Sequence, residues 1–545
     1  MAPVRRRPRN SPPPAGWVTA RGDGRWTRIG NLDSPATARV DGAGLVQVEG
    51  AGWSLDWWIG AEDRWHVPAR EAAVRQALVG NSPVVETKVK VPGGDAIQRA
   101  YGARTASGAE VLVVEVENAT TLPFALALAV RPYGLDADGR IDSITLDGTT
   151  VLVDDRPAVT LPKSPARVAV EDGTVDTAAV VFDGDAAPTA DASPVRCRDG
   201  LAQSALLFPV AHTATLRVTI PLPVGADPVP PTAVPDASHV AKGWGVQTRR
   251  AARFEVPERR VREAVLASGR HLLLAPATVA GAAALDLLGL DEEAGQLLLG
   301  DPAALRDEPA SVGLRAVARH WALAPDAEVA KRSAPLVAAL VGRLPEVPPG
   351  ERAALAPTLR DLAALLDAAG EARAAADVRA LPAGDAEPAP TPTTGDDLGE
   401  RLAAASGTWT WDGSGTGHDP RANAMVIELV LARLIDDTGE DLDLSPGVPD
   451  AWLGQGWEVH DAPTRHGRLS YAVRWHGERP ALLWELQPHV DRPVTVRATG
   501  LDPTWSTTAA AGEALLAPVD LPERPKERRG LTIPVTIEPL RRGPR

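Results

Sequence analysis

Along Val84–Val91 (VVETKVKV) the chain alternates strictly: Val85, Thr87, Val89 and Val91 fall on one face, Glu86, Lys88 and Lys90 on the other. A period of two marks a half-buried strand, because successive side chains leave opposite faces of the pleat. Pro92-Gly93-Gly94-Asp95 then supplies a turn. Glu110–Glu117 (EVLVVEVE) and Pro123–Val130 (PFALALAV) read as more deeply buried strands, and shorter ones follow at Ser143–Leu146, Thr149–Val153, Arg167–Val170, Ala178–Phe182 and Ala214–Ile220. Many strands joined by short polar turns predict an antiparallel β-sandwich over residues 17–226.

The period then changes. Asp227–Pro235 (DPVPPTAVP) is a stiff connector within a junction at residues 227–256. Beyond it, Val261, Val265, Ser268 and Leu272 recur at helical spacing, as do Leu355, Leu359, Leu362 and Leu366, and Leu336, Val337, Leu340, Val341 and Leu344. Gly289 followed by Asp291 reads as a helix end and a fresh N-cap. Residues 257–440 are thus predicted helical, interrupted at 381–397 by the Pro-, Ala- and Thr-rich LPAGDAEPAPTPTTGDD, whose composition predicts disorder. Helix resumes at Leu398–Ala405 and Arg421–Asp436. Period two returns in Leu469–Trp475, Ala481–Glu485 and Val494–Ala498, predicting a C-terminal β-domain over 441–545. The expectation is a multidomain α+β protein, β then α then β.

Composition narrows the function classes. A chain of 545 residues exceeds one compact core. Its formal charge of −14 disfavours a phosphate backbone as partner, so no nucleic acid is expected. Residues 1–16 form a basic, proline-rich tail without the apolar stretch of a secretory signal, and no run is long enough to span a bilayer. With a single cysteine, Cys197, these features predict a cytoplasmic protein without membrane contact. Tryptophan stands out: 15 Trp against 4 Phe and 3 Tyr, six of them between Trp17 and Trp65 and seven between Trp409 and Trp505. Such residues either fill cores or present stacking faces to a sugar.

Three segments carry a resemblance. ARFEVPERRVREAVLASGRHLLL (Ala252–Leu274) looks like the sandwich-to-helix junction of the six-hairpin glycosidases. GLRAVARHWAL (Gly313–Leu323) is similar to that family's inner helices ending in His-Trp, and Asn423–Leu453, closing with DLDLSPGVPDAWL, to its exit into a last β-domain. The resemblance implies an (α/α) toroid flanked by β-sandwich domains. A complete ring of twelve average helices and their loops needs about 200 residues, against roughly 180 here, so either the ring is incomplete, the reading preferred, or its mouth is bare of long loops.

Hydrolysis of a glycoside needs two carboxyl groups across the sugar. The resemblance places them in loops that precede helices, which points to Asp307, Glu308 and Asp412 as catalytic candidates. Around Asp412, TWTWDGSGTGHDP (Thr408–Pro420) adds Trp409, Trp411 and His418 as sugar-binding candidates, the alternative being a turn in which Asp419 caps a helix begun by Pro420. SLDWWIGAEDRWHVPAR (Ser54–Arg70) contributes Asp56, Trp57, Trp58, Asp63, Arg64, Trp65 and His66. This segment is either a loop over the mouth of the ring or a knot within the fold. Trp57 and Trp58, being adjacent, face opposite sides of any strand. Gly134–Gly148 is dense in acids but fails the spacing of a calcium loop and reads as a hairpin. No HExxH, GxSxG, Walker or CxxC pattern occurs, so neither metal nor cofactor is expected. The reading is a carbohydrate-active protein that hydrolyses or binds a glycan or oligosaccharide in a cleft of its helical domain. The alternatives are a pseudoenzyme that binds a glycan or a protein, and a structural scaffold.

Overall fold

The computed structural model describes residues 25–133, 139–300, 305, 308–381, 397–411 and 419–522. It shows an α+β protein with N-terminal antiparallel sheets, a central helical region and C-terminal sheets.

Two nine-stranded antiparallel sheets form the N-terminal region. At the centre of one, Phe124–Arg131 lies between Ser54–Gly60 and Gln203–Val210. At the centre of the other, Glu110–Ala119 lies between Gly94–Arg104 and Thr215–Leu222. Their inner faces share one core, in which Trp57, Leu128 and Phe208 of the first sheet meet Val89, Val114 and Val218 of the second. The alternation in Val84–Val91 holds, with Val85, Thr87, Val89 and Val91 all buried. Ala178–Phe182, expected as a strand, is instead part of a short helix, α1 (Thr177–Phe182), whose Ala178 N–H donates to the capping Asp176 carboxylate. The reason is tertiary. The outer face of the first sheet is paved with Ala127, Ala129, Ala169 and Ala205, and these small side chains leave room for a helix to lay Ala178 and Val181 across them. An apolar run this short does not reveal its own period.

The junction carries a helix that its weak periodicity and two glycines conceal, α2 (Ala237–Gln247), capped by Asp236. The central region then comprises α3 (Arg259–Leu274), α4 (Val279–Leu287), α5 (Asp291–Leu299), α6 (Ala310–Leu323), α7 (Ala327–Gly342), α8 (Pro349–Ala353), α9 (Ala356–Ala368), α10 (Ala372–Arg379), α11 (Asp397–Ala404) and α12 (Pro420–Leu434). Two of the predicted stripes are fully buried, Val261, Val265, Ser268 and Leu272 on α3 being each at most 4% exposed, and in the third Val337, Leu340 and Leu344 are buried while Leu336 and Val341 are half-buried. Gly289, at φ +72°, follows α4 as expected. Asp291, however, is the first residue of α5 rather than its cap, and with Glu292 and Glu293 it places three acids at the positive end of the helix dipole. The expected disordered insert, 381–397, lies almost wholly outside the described residues.

Most of the helices divide between two larger cores, and a smaller cluster of Val279, Ala282, Leu298, Leu305 and Ala316 joins α4, α5 and α6. In one of the larger cores, α3, α4 and α12 pack with the C-terminal sheets. In the other, α6, α7, α9 and α10 pack on one another. The C-terminal region is a five-stranded antiparallel sheet, centred on Gly467–His476, and a four-stranded sheet in which Leu442–Leu444 runs parallel to Val496–Ala498. Trp452, Trp457 and Trp484 are buried where these sheets meet the helices. Among the described residues no helix is long and apolar enough to cross a membrane.

Candidate functional site

A cleft of about 640 Å³ opens where the two helical cores part. Its walls are α4, α6, the start of α9 and α12, and it is closed at one end by Ile435–Thr438, Pro463 and Arg465. Helical spacing sets its chemistry: Arg315 and Arg319 are four apart on α6, Thr358 and Asp361 three apart on α9, and Glu428 and Leu431 three apart on α12. Each pair therefore shares a face turned to the same space. Val279, Leu287, Leu431 and Ile435 make the rest of the wall aliphatic.

Four carboxyl groups line this space, and three of them, Asp361, Glu428 and Asp437, stand under different constraints. Asp437 is buried, and burial works to raise its pKa, yet two partners outweigh that and hold it below the usual carboxylate range. Arg319 Nη1 lies 2.9 Å from Oδ1, and the Arg465 backbone N–H donates to Oδ2 at 2.8 Å. Glu428, half-buried on α12, is pushed up by burial, with only the field of Arg319 opposing. Asp361 is also pushed up by burial, despite Arg465, Arg360 and Arg319. Arg465 Nη2 donates to both of its oxygens at 2.6 Å. Arg465 therefore ties two acids together, one through its backbone and one through its side chain.

The residues singled out from sequence lie elsewhere. Trp57 faces the sandwich core and Trp58 the outer face of the same sheet, as adjacent strand residues must, and both are fully buried. Neither ring offers a stacking face. Asp56, also buried, accepts from the Trp58 indole at 3.0 Å and the Trp57 N–H at 2.8 Å, and burial pushes its pKa up against the pull of Arg131. Trp65 packs on Phe182 of α1 at 5.8 Å between ring centroids. His66 presents one ring nitrogen to Asp63 at 2.9 Å and the other to Glu71 at 3.1 Å, and Arg64 also reaches Glu71, at 2.7 Å. Ser54–Arg70 is thus a knot within the sandwich, fastened under α1, and it does not line the cleft.

Thr408–Trp411 is a second fastening. The Thr408 hydroxyl meets that of Thr27 at 2.7 Å, its carbonyl meets His271 Nε2 at 2.8 Å, and Asn423 of α12 donates to the Trp409 carbonyl at 3.2 Å. Trp409 carries Arg260 over its ring at 5.5 Å, and the Trp411 indole donates to the Arg401 carbonyl at 3.0 Å. Both tryptophans are under 9% exposed, so they too hold structure together. Asp419 caps α12, accepting from the Arg421 N–H, with Pro420 at the first helical position. Glu308 pairs with Arg421 at 3.2 Å, away from the cleft lining. Asp307, Asp412 and His418 lie outside the described residues.

The residues that do converge were legible one at a time. Glu428 is the sole charge in AMVIELVLA (Ala424–Ala432), and Arg319 lies within the GLRAVARHWAL segment that carries part of the resemblance. Nothing in the sequence says that they meet. No protein-family model matches the chain, and a search of curated proteins finds no match either.

Proposed function

We propose that this chain is a carbohydrate-active protein of glycosidase-like architecture that binds a glycan between α4, α6, α9 and α12 and hydrolyses a glycosidic bond there. One observation carries the reading: a single cation, Arg319, accompanies two carboxyl groups whose protonation is driven apart. Burial favours the protonated form of Glu428, while the ion pair with Arg319 favours the ionised form of Asp437. Acid and base poised in this way are what glycoside hydrolysis requires. Glu428 donates its proton to the leaving oxygen, and Asp437 stabilises the positive charge that develops on the sugar or activates water.

The test is release of reducing ends from a broad oligosaccharide panel. Glu428→Gln is expected to lower turnover by about a hundredfold or more, whereas Glu308→Gln leaves it unchanged. A wild-type chain that binds oligosaccharides and releases nothing supports a second reading, a glycan-binding pseudoenzyme. That reading is favoured by the engagement of both Asp437 oxygens within the protein. A chain that neither binds nor cleaves any member of the panel refutes both.

A further inference from the structure

We infer that the cleft continues into a subsite for an acidic sugar unit, one that carries a carboxylate. The inference rests on the glycan-directed reading above and names the substrate class. A second cavity, of about 690 Å³, meets the first at Asp361, Thr438 and Arg465, so the Asp361–Arg465 ion pair forms part of their common wall.

The two chambers differ in charge. The first presents Asp361, Glu428, Asp436 and Asp437 beside its arginines. The second presents Arg360, Arg465 and Arg492, together with His466 and His489, against the acids Asp361 and Glu440. In a chain with a formal charge of −14, a chamber in which cations outnumber acids runs against the composition. Guanidinium groups suit a planar carboxylate, because their N–H donors match its two oxygens in a fork.

Two orphaned groups stand in the wall of the chamber, behind its surface. His466 is only 2% exposed and lines the cavity, yet neither ring nitrogen makes a hydrogen bond of ordinary geometry within the protein. The Asp441 backbone stands near but outside that geometry. Burial, above all, holds the ring below the ordinary histidine range. A neutral imidazole offers one donor and one acceptor, and a sugar hydroxyl satisfies either. Trp321, on the same wall, has an indole N–H that is likewise buried and without a partner. Such groups are costly to leave unpaired, and because both are enclosed, a sugar hydroxyl engages them only by displacing the side chains that cover them.

The experiment is titration calorimetry on the full chain with three matched oligosaccharides: a neutral one, one in which a single residue is a uronic acid, and one in which that residue carries a sulfate ester instead. The uronate chain is expected to bind about tenfold more tightly than the neutral one. Its advantage should fall towards one in the Arg360→Gln/Arg492→Gln double variant, whose arginines are both exposed in the parent, and should shrink in high salt. Equal affinity for neutral and uronate chains overturns the inference and leaves the cleft reading standing. Tighter binding of the sulfated chain overturns the assignment to a carboxylate. Failure of all three to bind overturns both this inference and the reading beneath it.

Discussion

Ser54–Arg70 and the inter-helix cleft hold the same kinds of groups, acids and arginines, and differ in how they were assembled. The first gathers its chemistry within a short stretch of chain, then spends it internally. Asp56 is capped by two tryptophan N–H groups, and Asp63, Arg64, His66 and Glu71 satisfy one another. The cleft draws Arg319, Asp361, Glu428, Asp437 and Arg465 from distant positions, and although Arg319 pairs with Asp437 and Arg465 with Asp361, all five still line about 640 Å³ of open space. Density along the chain favours mutual satisfaction, since neighbours reach each other cheaply. Convergence from separate elements leaves groups turned towards a volume that the protein does not fill.

The contrast can be broken by mutation. Trp57→Ala is expected to cost roughly 3–5 kcal/mol, because the ring is fully enclosed between the two sheets. A denaturant titration measures the loss, and the protein that remains folded should bind oligosaccharide as the parent does. Arg319→Met strikes the cleft instead. It leaves the buried Asp437 carboxylate without its cation and is expected to cost about 3 kcal/mol, with oligosaccharide binding, read by calorimetry, lost even where the chain stays folded.

Acid tests the second fastening. His271 is fully enclosed, and burial lowers its pKa to about 4, with the hydrogen bond to Thr408 opposing. The unfolded chain therefore binds a proton that the native one refuses as pH falls from about 6.5 to about 4. His271 thus withdraws on the order of 3 kcal/mol over that window. His271→Gln should flatten that part of the stability profile, measured as the denaturation midpoint against pH. A smaller effect has the opposite sign. Glu428→Gln removes a carboxyl group whose charged form is disfavoured by burial, so near neutral pH the variant should be the more stable of the two while losing turnover. A residue whose replacement raises stability and abolishes activity is held for function. At the bottom of the scale, Arg64→Ala, on an exposed pair, should leave the midpoint unchanged.

The order of the regions could be read from periodicity alone, because the burial of one face imposes its period on the sequence. Val85, Thr87, Val89 and Val91, or Val261, Val265, Ser268 and Leu272, announce their elements locally. The elements that escaped were those whose partners decide them. The helix at Thr177–Phe182 exists because alanines on a neighbouring sheet admit it, and Ala237–Gln247, with two glycines and scattered apolar residues, shows no clear stripe. The tryptophans were misleading for a related reason: a strand tryptophan looks the same in sequence whether its ring meets solvent or another sheet.

What the chain specified by itself was thus the succession of strands and helices, the turns and several caps, each a matter of neighbours within a few residues. Which carboxyl groups share a cavity, which are pushed up by burial and which are held down by a guanidinium depended on elements more than a hundred residues apart coming together. Arg319 and Asp437, or Asp361 and Arg465, acquire their character only from that meeting. A carboxyl group's protonation is set by the dielectric and the charges around it, and those belong to the folded arrangement.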